Sequence, residues 1–522
     1  MKDARLVCLI PAFVLVSLAS AQMLPPAQDP HVEFDAPAAY NTGGRAAVSV
    51  AIADLNGDGN MDLVVANEWQ SPSSALGEVA VFLGNGNGTF QPPVIYTTGA
   101  YFGESVAVGD LRGDGILDLV VTNDCLNLNQ NGNCSGVGAV SVLLGNGDGT
   151  FQPAVTYSTG QEDAVSVAIA DLRGDGIPDL VVANSCLDAD CLSGYASVLL
   201  GNGDGTFQPA ITYSSGGEYA ESVAVADVTG SGIPDVIVAN LCSLEEGCSA
   251  DGIAGVLLGN GDGTFQPAVI YDSGSTYANS VAVGDLRGNG IMDLVVANGY
   301  YNNVVGVLLG NGNGTFQPAV TYALKGELYD DVAIGDVNGD GIPDLAVTDG
   351  CQKVRDGACV GNATVSILLG NGDGTFQSPI KYDSGGSGVG EIAIGDLNGD
   401  GRPDIAVTIC QDSNCNNGLV AVLLNETSYT TKTALTSSPN PAQVNQTVTF
   451  TATIASTPAV PNGEVVTFYD GKTELGASAT TNGVATLATS FSKAKTYTIK
   501  GSYPGDAFRK ASSGTVKQVV SQ

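Results

Sequence analysis

Between residues 45 and 425 the chain alternates short apolar runs with glycine- and asparagine-rich breaks, and one unit shows the rule. It reads "ESVAVGD" (104–110), an acidic loop, "LDLVVTN" (117–123), a variable insert, "AVSVLLG" (139–145), the turn "NGDGT" (146–150) and "FQPAVTY" (151–157). The four runs are rich in Val, Leu, Ile and Tyr and none has a helical period, which predicts an antiparallel four-stranded sheet. The unit recurs seven times. Sheets that cannot bury both faces alone predict blades around a central axis, an all-β seven-bladed propeller. The strand start "TFQ" occurs six times, with Phe90, Phe151, Phe207, Phe265, Phe316 and Phe376, and the seventh unit ends at "VAVLLNETSY" without one. The segment "FDAPAAYNTG" (34–43) overlays "FQPAVTYSTG" (151–160). An N-terminal strand is therefore expected to complete the last blade and leave no open sheet edge.

The acidic loop carries the candidate chemistry. In "DLNGDGNMD" the side chains of Asp54, Asn56, Asp58 and Asp62, with the carbonyl of Asn60, supply oxygens at the spacing a hard cation such as calcium needs. Gly59 permits the sharp reversal. An ordinary Asn-Gly or Asp-Gly hairpin turn is the alternative for a single copy. The loop recurs from Asp110, Asp171, Asp227, Asp285, Asp336 and Asp396, at spacings of 56, 61, 56, 58, 51 and 60 residues, and every copy keeps its first and ninth Asp. A simple turn needs neither carboxylate.

Up to seven calcium sites are thus expected, best at the loops of Asp54, of Asp336, Asn338, Asp340, Ile342 and Asp344, and of Asp396, Asn398, Asp400, Arg402 and Asp404, the seventh residue in each giving its carbonyl. Three further loops comprise Asp110, Asp114, Ile116 and Asp118; Asp171, Asp175, Ile177 and Asp179; and Asp285, Asn289, Ile291 and Asp293. In these, Arg112, Arg173 and Arg287 stand where a ligand belongs, so fewer side chains or water must serve. The loop of Asp227, Thr229, Ser231, Ile233 and Asp235 is poorest in charge and is expected to bind weakly or not at all.

The acidic nonapeptide followed by "LLGNGDGTFQPAVTY" resembles the FG-GAP/VCBS repeat, whose relatives include the integrin α-chain propeller and some fungal lectins. The resemblance covers about residues 34–427. It implies a seven-bladed propeller with calcium in the loop joining the first two strands of a blade. It does not imply one function, since the family includes adhesion receptors, lectins and propellers appended to enzymes.

The ends and the cysteines set the context. "MKDARLVCLIPAFVLVSLASAQ" reads as a secretory signal cleaved after Ala21, with an uncleaved anchor as the alternative, and residues 22–33 as a linker. Ten cysteines follow, in five close pairs: Cys125 and Cys134, Cys186 and Cys191, Cys242 and Cys248, Cys351 and Cys359, Cys410 and Cys415. Each pair occupies one insert, so local disulfides are favoured over a thiolate metal cluster. After Glu426 glycine falls and threonine rises. Residues 428–522 alternate as "QTVTFTATI" and "GEVVTFYDG", the pattern of a small β-sandwich resembling bacterial Ig-like repeats.

Chemistry is then narrowed by composition. A formal charge of −35 repels phosphate backbones, which argues against nucleic acid as a partner. One histidine, His31, sits near the N-terminus, which disfavours triads and His-ligated zinc. No glycine-rich segment opens a helix, so the "GNGDGT" turns are hairpins. In such a blade the acidic loops and "NGDGT" turns share one face, and the variable inserts share the other. That second face would carry Trp69, Tyr101, Phe102, Tyr219, Tyr277, Tyr300, Tyr301 and Tyr329, with Glu104, Glu218, Glu221 and Asp330 nearby; packing between blades is the plainer role for any one of these aromatics. The expectation is a secreted, monomeric, calcium-stabilised, non-catalytic binding or adhesion protein with a glycan or cell-surface protein as partner. A polysaccharide-acting enzyme using paired carboxylates, or a purely structural envelope protein, is the alternative.

Overall fold

The computed structural model describes residues 32–70, 74–130, 132, 134–185, 193–243, 251–299, 304–324, 331–350, 354–355, 358–359, 362–411 and 415–522. The proposed signal, His31, Cys186, Cys191, Cys248, Cys351, Tyr300, Tyr301, Tyr329 and Asp330 lie outside the described residues.

Seven four-stranded antiparallel blades follow in chain order. Their inner strands are Arg45–Ala53, the second half of Val94–Gly109, Ala164–Ala170, Gly217–Ala226, Ala278–Gly284, Val332–Gly335 and Gly388–Gly395. Strand Val94–Gly109 is both the outer strand of blade 1 and the inner strand of blade 2, so those two blades form one seven-stranded sheet. Each inner strand touches the next, and the inner strand of blade 7 returns to that of blade 1, which closes the ring. Second strands are buried along their whole length in blades 2 to 6 except at insert-side ends, as in Asp179–Asn184. They are apolar on both sides because each blade packs against two neighbours. Val181 and Ala183, for example, meet Val236 and Val238 of the following blade. The last junction joins Ala47, Val50 and Leu63 to Ala406, Val420 and Val422.

The closing strand is the one expected from the sequence. Ala38–Asn41 pairs antiparallel with Gly418–Leu423, with Ala38 opposite Val422 and Asn41 opposite Leu419. Phe34 bridges Asn425 as Phe90 bridges Gly84 and Phe151 bridges Gly145. A second ring of contacts runs near the rim. Each outer-strand Tyr meets the Phe of the next blade edge to face: Tyr40–Phe90, Tyr96–Phe151, Tyr157–Phe207, Tyr213–Phe265, Tyr271–Phe316 and Tyr322–Phe376, at centroid distances of 5.3–5.7 Å. Phe34–Tyr382, at 5.0 Å, is the seventh.

Disulfides join Cys125 to Cys134 and Cys410 to Cys415 within their inserts, with Cα separations of 5.6 and 4.8 Å. Cys242 is also disulfide-bonded.

The C-terminal sandwich packs a three-stranded sheet against a five-stranded one around Phe450, Phe468, Ile499 and Tyr503. It is seated on the propeller rather than held off by a spacer. Its turn at 506–509 covers the acidic loop of blade 6, where Arg509 Nη2 donates to Gly339 O at 2.8 Å. Phe508 lies so close over Gly339 that a Cβ there would come within 2.2 Å of its ring. The linker adds a contact from blade 7, Arg402 Nη1 to Thr427 O at 3.2 Å.

Ring closure through one strand gives a direct expectation. Phe34→Ala removes the seventh aromatic contact and should lower stability by about 2 kcal/mol, less than a fully buried ring because Phe34 keeps some exposure. Urea unfolding of the full chain measures it, and an unchanged midpoint would count against closure by this strand.

Candidate metal loops and the acidic hub

Every acidic loop is tied down by its ninth residue. Asp62, Asp118, Asp179, Asp235, Asp293, Asp344 and Asp404 are each at most 1% exposed. One carboxylate oxygen accepts from the backbone N–H of the loop's second residue, at 2.8–3.2 Å. The other accepts from the N–H that opens the "NGDGT" turn, or from Asn425 in blade 7, at 2.7–2.8 Å. The acidic loops and the turns therefore share one face, as expected. The first Asp folds the loop over itself: Asp54 accepts from Gly57, Asp58 and Gly59. Gly59 has φ 86°, and the sixth glycine of the other loops has φ between 78° and 83°, a left-handed conformation that requires glycine there.

The loops differ in how the buried charge is met. In blades 2, 3 and 5 the third-position arginine reaches back: Arg112 Nη2 lies 2.8 Å from Asp118 Oδ1 with Nε 3.3 Å from Oδ2, and Arg173 and Arg287 repeat the fork on Asp179 and Asp293. In blade 1, Asn56 stands there, and its Nδ2 donates to Asp58 Oδ2 at 3.2 Å. Burial, then repulsion from Asp58 and Asp54, raises the Asp62 carboxyl above its usual range despite the two backbone donors. Burial, with Asp340 and Asp336 adding to it, pushes Asp344 to about 8; burial pushes Asp404 to about 6. In blade 7, Arg402 Nε donates to Asp400 Oδ2 at 3.0 Å, a pairing the carbonyl role expected of residue 402 did not anticipate. In blade 4, Thr229 and Ser231 hydrogen-bond each other at 2.8 Å between two carboxylates. A divalent cation fits the loops of blades 1, 6 and 7 on this ground: oxygen-rich side chains surround a buried carboxylate that lacks a full cationic partner.

A second acidic feature lies on the axis. A cavity of about 230 Å³ is lined by inner-strand residues of all seven blades, among them Glu104, Glu221, Asp331 and Glu391. A ring of hydrogen bonds crosses the blades just there. Ser49 accepts from Val106 N, Ser166 from Val223 N and Ser222 from Val281 N, and Asp331 takes the same role toward Ile392 N at 2.9 Å. Glu104 and Glu221 precede Ser105 and Ser222 on their strands, and the charges that act on Glu104 are Asp124, Glu68, Glu221 and Asp163. Burial raises Glu104 well above its usual value, and Asp124, Glu68, Glu221 and Asp163 add repulsion. Burial raises Glu391 and Asp331, which face each other, and pushes Glu221 to about 7 against a 3.0 Å hydrogen bond from Ser185. Ligand-type atoms of Asp124, Cys134 and Asp163 also lie within 4.8 Å of one another, but the Cys134 sulfur is bonded to Cys125, which leaves two carboxylates.

On the insert face the structure brings together Trp69 and Phe102, whose centroids are 6.3 Å apart, with the Arg45 guanidinium 5.1 Å over the indole. Tyr101 sits in strand, opposite Cys125. Phe102, Tyr219 and Tyr277 are half-buried and occupy one equivalent position on blades 2, 4 and 5, with φ of 55°, 55° and 60°; Ala46 and Asp163 hold it on blades 1 and 3. Sequence reading missed this, and the axial serines too. The recurring "SV" of the inner strands was the available signal.

Comparison with known proteins agrees with this architecture. FG-GAP-like repeats match residues 54–121, 123–182, 187–238, 247–296, 288–347 and 355–407. The chain belongs to the FG-GAP-like repeat family. The first of the six matches spans the acidic loops of blades 1 and 2, which accounts for seven blades. Residues 435–521 match a Bacterial Ig-like domain (group 3). Integrin alpha-V of Gallus gallus is 32% identical over 139 residues, 26% of this chain, and integrin alpha-IIb of Mus musculus 33% over 152 residues, again 26%. The FG-GAP chain spans 13% and 14% of those two integrins. Among solved structures, BBS1N in complex with ARL6DN aligns over 75% of this chain and 96% of its own, at TM-score 0.45 and 13% identity. The rhamnogalacturonan lyase YesX aligns over 74% of each chain, at TM-score 0.40 and 13% identity. Among the described residues no helix is long and apolar enough to cross a membrane.

The hub acids predict a pH response. Their folded values lie above the usual carboxylate range, so the folded state binds more protons than the unfolded one, and stability rises as pH falls from about 8 toward 5. Glu104→Gln with Glu391→Gln should raise the Tm at pH 8 and flatten its pH dependence, measured in chelator so that metal binding does not intervene. A Tm that falls at pH 8 would contradict this.

Proposed function

We propose that this FG-GAP protein is a calcium-stabilised, non-catalytic binding or adhesion protein acting outside the cell, and that it recognises a cell-surface protein or glycan through the insert face. One observation carries the reading. The insert face carries half-buried aromatics, Trp69 and Phe102 meeting edge to face among them, on a ring whose axial cavity is lined by acids. Acids on the axis and aromatic rings on the insert face suit a partner that presents a basic side chain against an apolar surface, and disulfides in the inserts lower the ordering cost of binding. The partial match to integrin alpha chains points the same way at the level of fold and repeat.

Calcium would be held by Asp54, Asn56, Asp58, Asp62 and the Asn60 carbonyl, and by the corresponding residues of the Asp336 and Asp396 loops. When bound, it supplies positive charge to a buried carboxylate. The chain's own part is to gather the oxygens around the sixth-position glycine and to anchor the ninth Asp to two strands.

An enzyme acting through paired carboxylates is the second reading, favoured by the raised values of Glu104, Asp331 and Glu391. Size weighs against it. The axial cavity is about 230 Å³, under the roughly 300–1,000 Å³ of ordinary ligand pockets.

The test is binding of the calcium-loaded full chain to a glycan array and to intact cells. Trp69→Ala with Phe102→Ala and Tyr219→Ala should weaken retention at least about tenfold in protein that circular dichroism shows to be folded, whereas Asp148→Ala with Asp204→Ala on the opposite face should not. Loss of binding from the opposite-face pair alone would overturn the assignment of the face. Turnover of a polysaccharide, abolished by Glu391→Gln, would establish the second reading instead.

A further inference from the structure

We propose that Arg112, Arg173 and Arg287 are built-in cations that take the place of the metal in blades 2, 3 and 5, so that divalent ions are confined to the contiguous blades 6, 7 and 1. This rests on the calcium reading above and narrows it.

The geometry is repeated three times. Nη2 of each arginine meets one oxygen of the buried ninth Asp at 2.6–2.8 Å, and Nε meets the other at 3.2–3.3 Å. The same Nη2 donates to the carbonyl that ends the third strand, Gly145, Gly201 or Gly310, at 2.8–2.9 Å. In blades 2 and 3, Nη1 also reaches the fifth-position acid, Asp114 or Asp175, at 3.2 and 3.1 Å. A guanidinium has five donors and no acceptor, so it neutralises this charge set and cannot join a metal's shell. A divalent ion entering the loop would have to displace a forked, charge-assisted pair and then sit beside the displaced cation.

The other loops lack that plug. Asn56, Asn338 and Asn398 hold the third position, and each keeps an oxygen that accepts from the fifth residue's N–H. Arg402 in blade 7 is turned to Asp400 and to Thr427, which leaves Asp404 with backbone donors only. Blade 4 offers two carboxylates and two neutral hydroxyls, too little charge to be counted among the sites. The ring order 6, 7, 1 includes the blade completed by the N-terminal closing strand, and the loops of blades 6 and 7 lie against the Ig-like turn at 506–509. Metal dependence then belongs to the seam, and the arginine half of the ring is independent of it.

The experiment is equilibrium dialysis of the full chain against calcium, with bound calcium counted by elemental analysis and folding followed by circular dichroism. Wild type should hold up to three ions, one of them in the loop of blade 1. Arg112→Asn recreates the "DLNGDG" loop of blade 1 and should add one ion; in chelator its Tm falls and calcium restores it. Asn56→Arg should remove one ion. Four or more ions in wild type, or counts that neither substitution moves, would overturn the inference while leaving the calcium reading intact. No ion bound by folded wild type would sink the calcium reading itself. If Arg112→Asn does not fold, Asn56→Arg alone decides: a lower count supports the inference and an equal count refutes it.

Discussion

Every blade of this propeller buries one carboxylate, and the rest of the molecule is arranged around that constraint. The ninth Asp of each acidic loop sits at the junction of three segments: the loop's start, the second strand it begins, and the end of the third strand. Two backbone N–H groups per carboxylate fix the loop to the sheet, but they do not cancel a full charge in a dry site. Breaking or leaving unpaired such a charge costs several kcal/mol. The fold meets that cost with arginine in three blades. In the remaining blades burial raises the aspartates out of their usual range, as Asp344 and Asp404 show.

Ring closure multiplies the effect. Seven apolar junctions and seven Tyr–Phe contacts bind each blade to the next, and the last of both depends on a few residues near the N-terminus. Blades 6, 7 and 1 are the place where chain ends meet, where the Ig-like domain is docked, and where no arginine neutralises the ninth Asp. The proposed calcium sites fall at this seam.

Much of this was legible in the sequence. Four apolar runs per unit predicted the blades, and the missing seventh "TFQ" located the closing strand at Phe34, because hairpin periodicity and edge pairing are local properties. The spacing of first and ninth Asp predicted a shared loop geometry for the same reason. Other features were not legible because they depend on through-space partners. Arg112 read as a poor ligand, yet whether its side chain turned outward or back to Asp118 depended on the carbonyl of Gly145, 33 residues on. Nothing local said that Phe508 and Arg509 would lie over Gly339. The hub acids are scattered over 287 residues, from Glu104 to Glu391, and meet only when the ring closes. Of the aromatics expected on the insert face, Trp69 and Phe102 come together, while Tyr219 and Tyr277 share with Phe102 an equivalent backbone position on their own blades.

The central claim is that buried aspartates are neutralised by arginine in one part of the ring and by a divalent ion in the other. Diffraction from crystals grown with calcium, with anomalous data collected to mark the ions, tests it directly. The account predicts anomalous density within the loops of blades 1, 6 or 7 and none in blades 2, 3 and 5, where Arg112, Arg173 and Arg287 keep their forks on Asp118, Asp179 and Asp293. Ions seated in the arginine loops, with those side chains turned out to solvent, would contradict it.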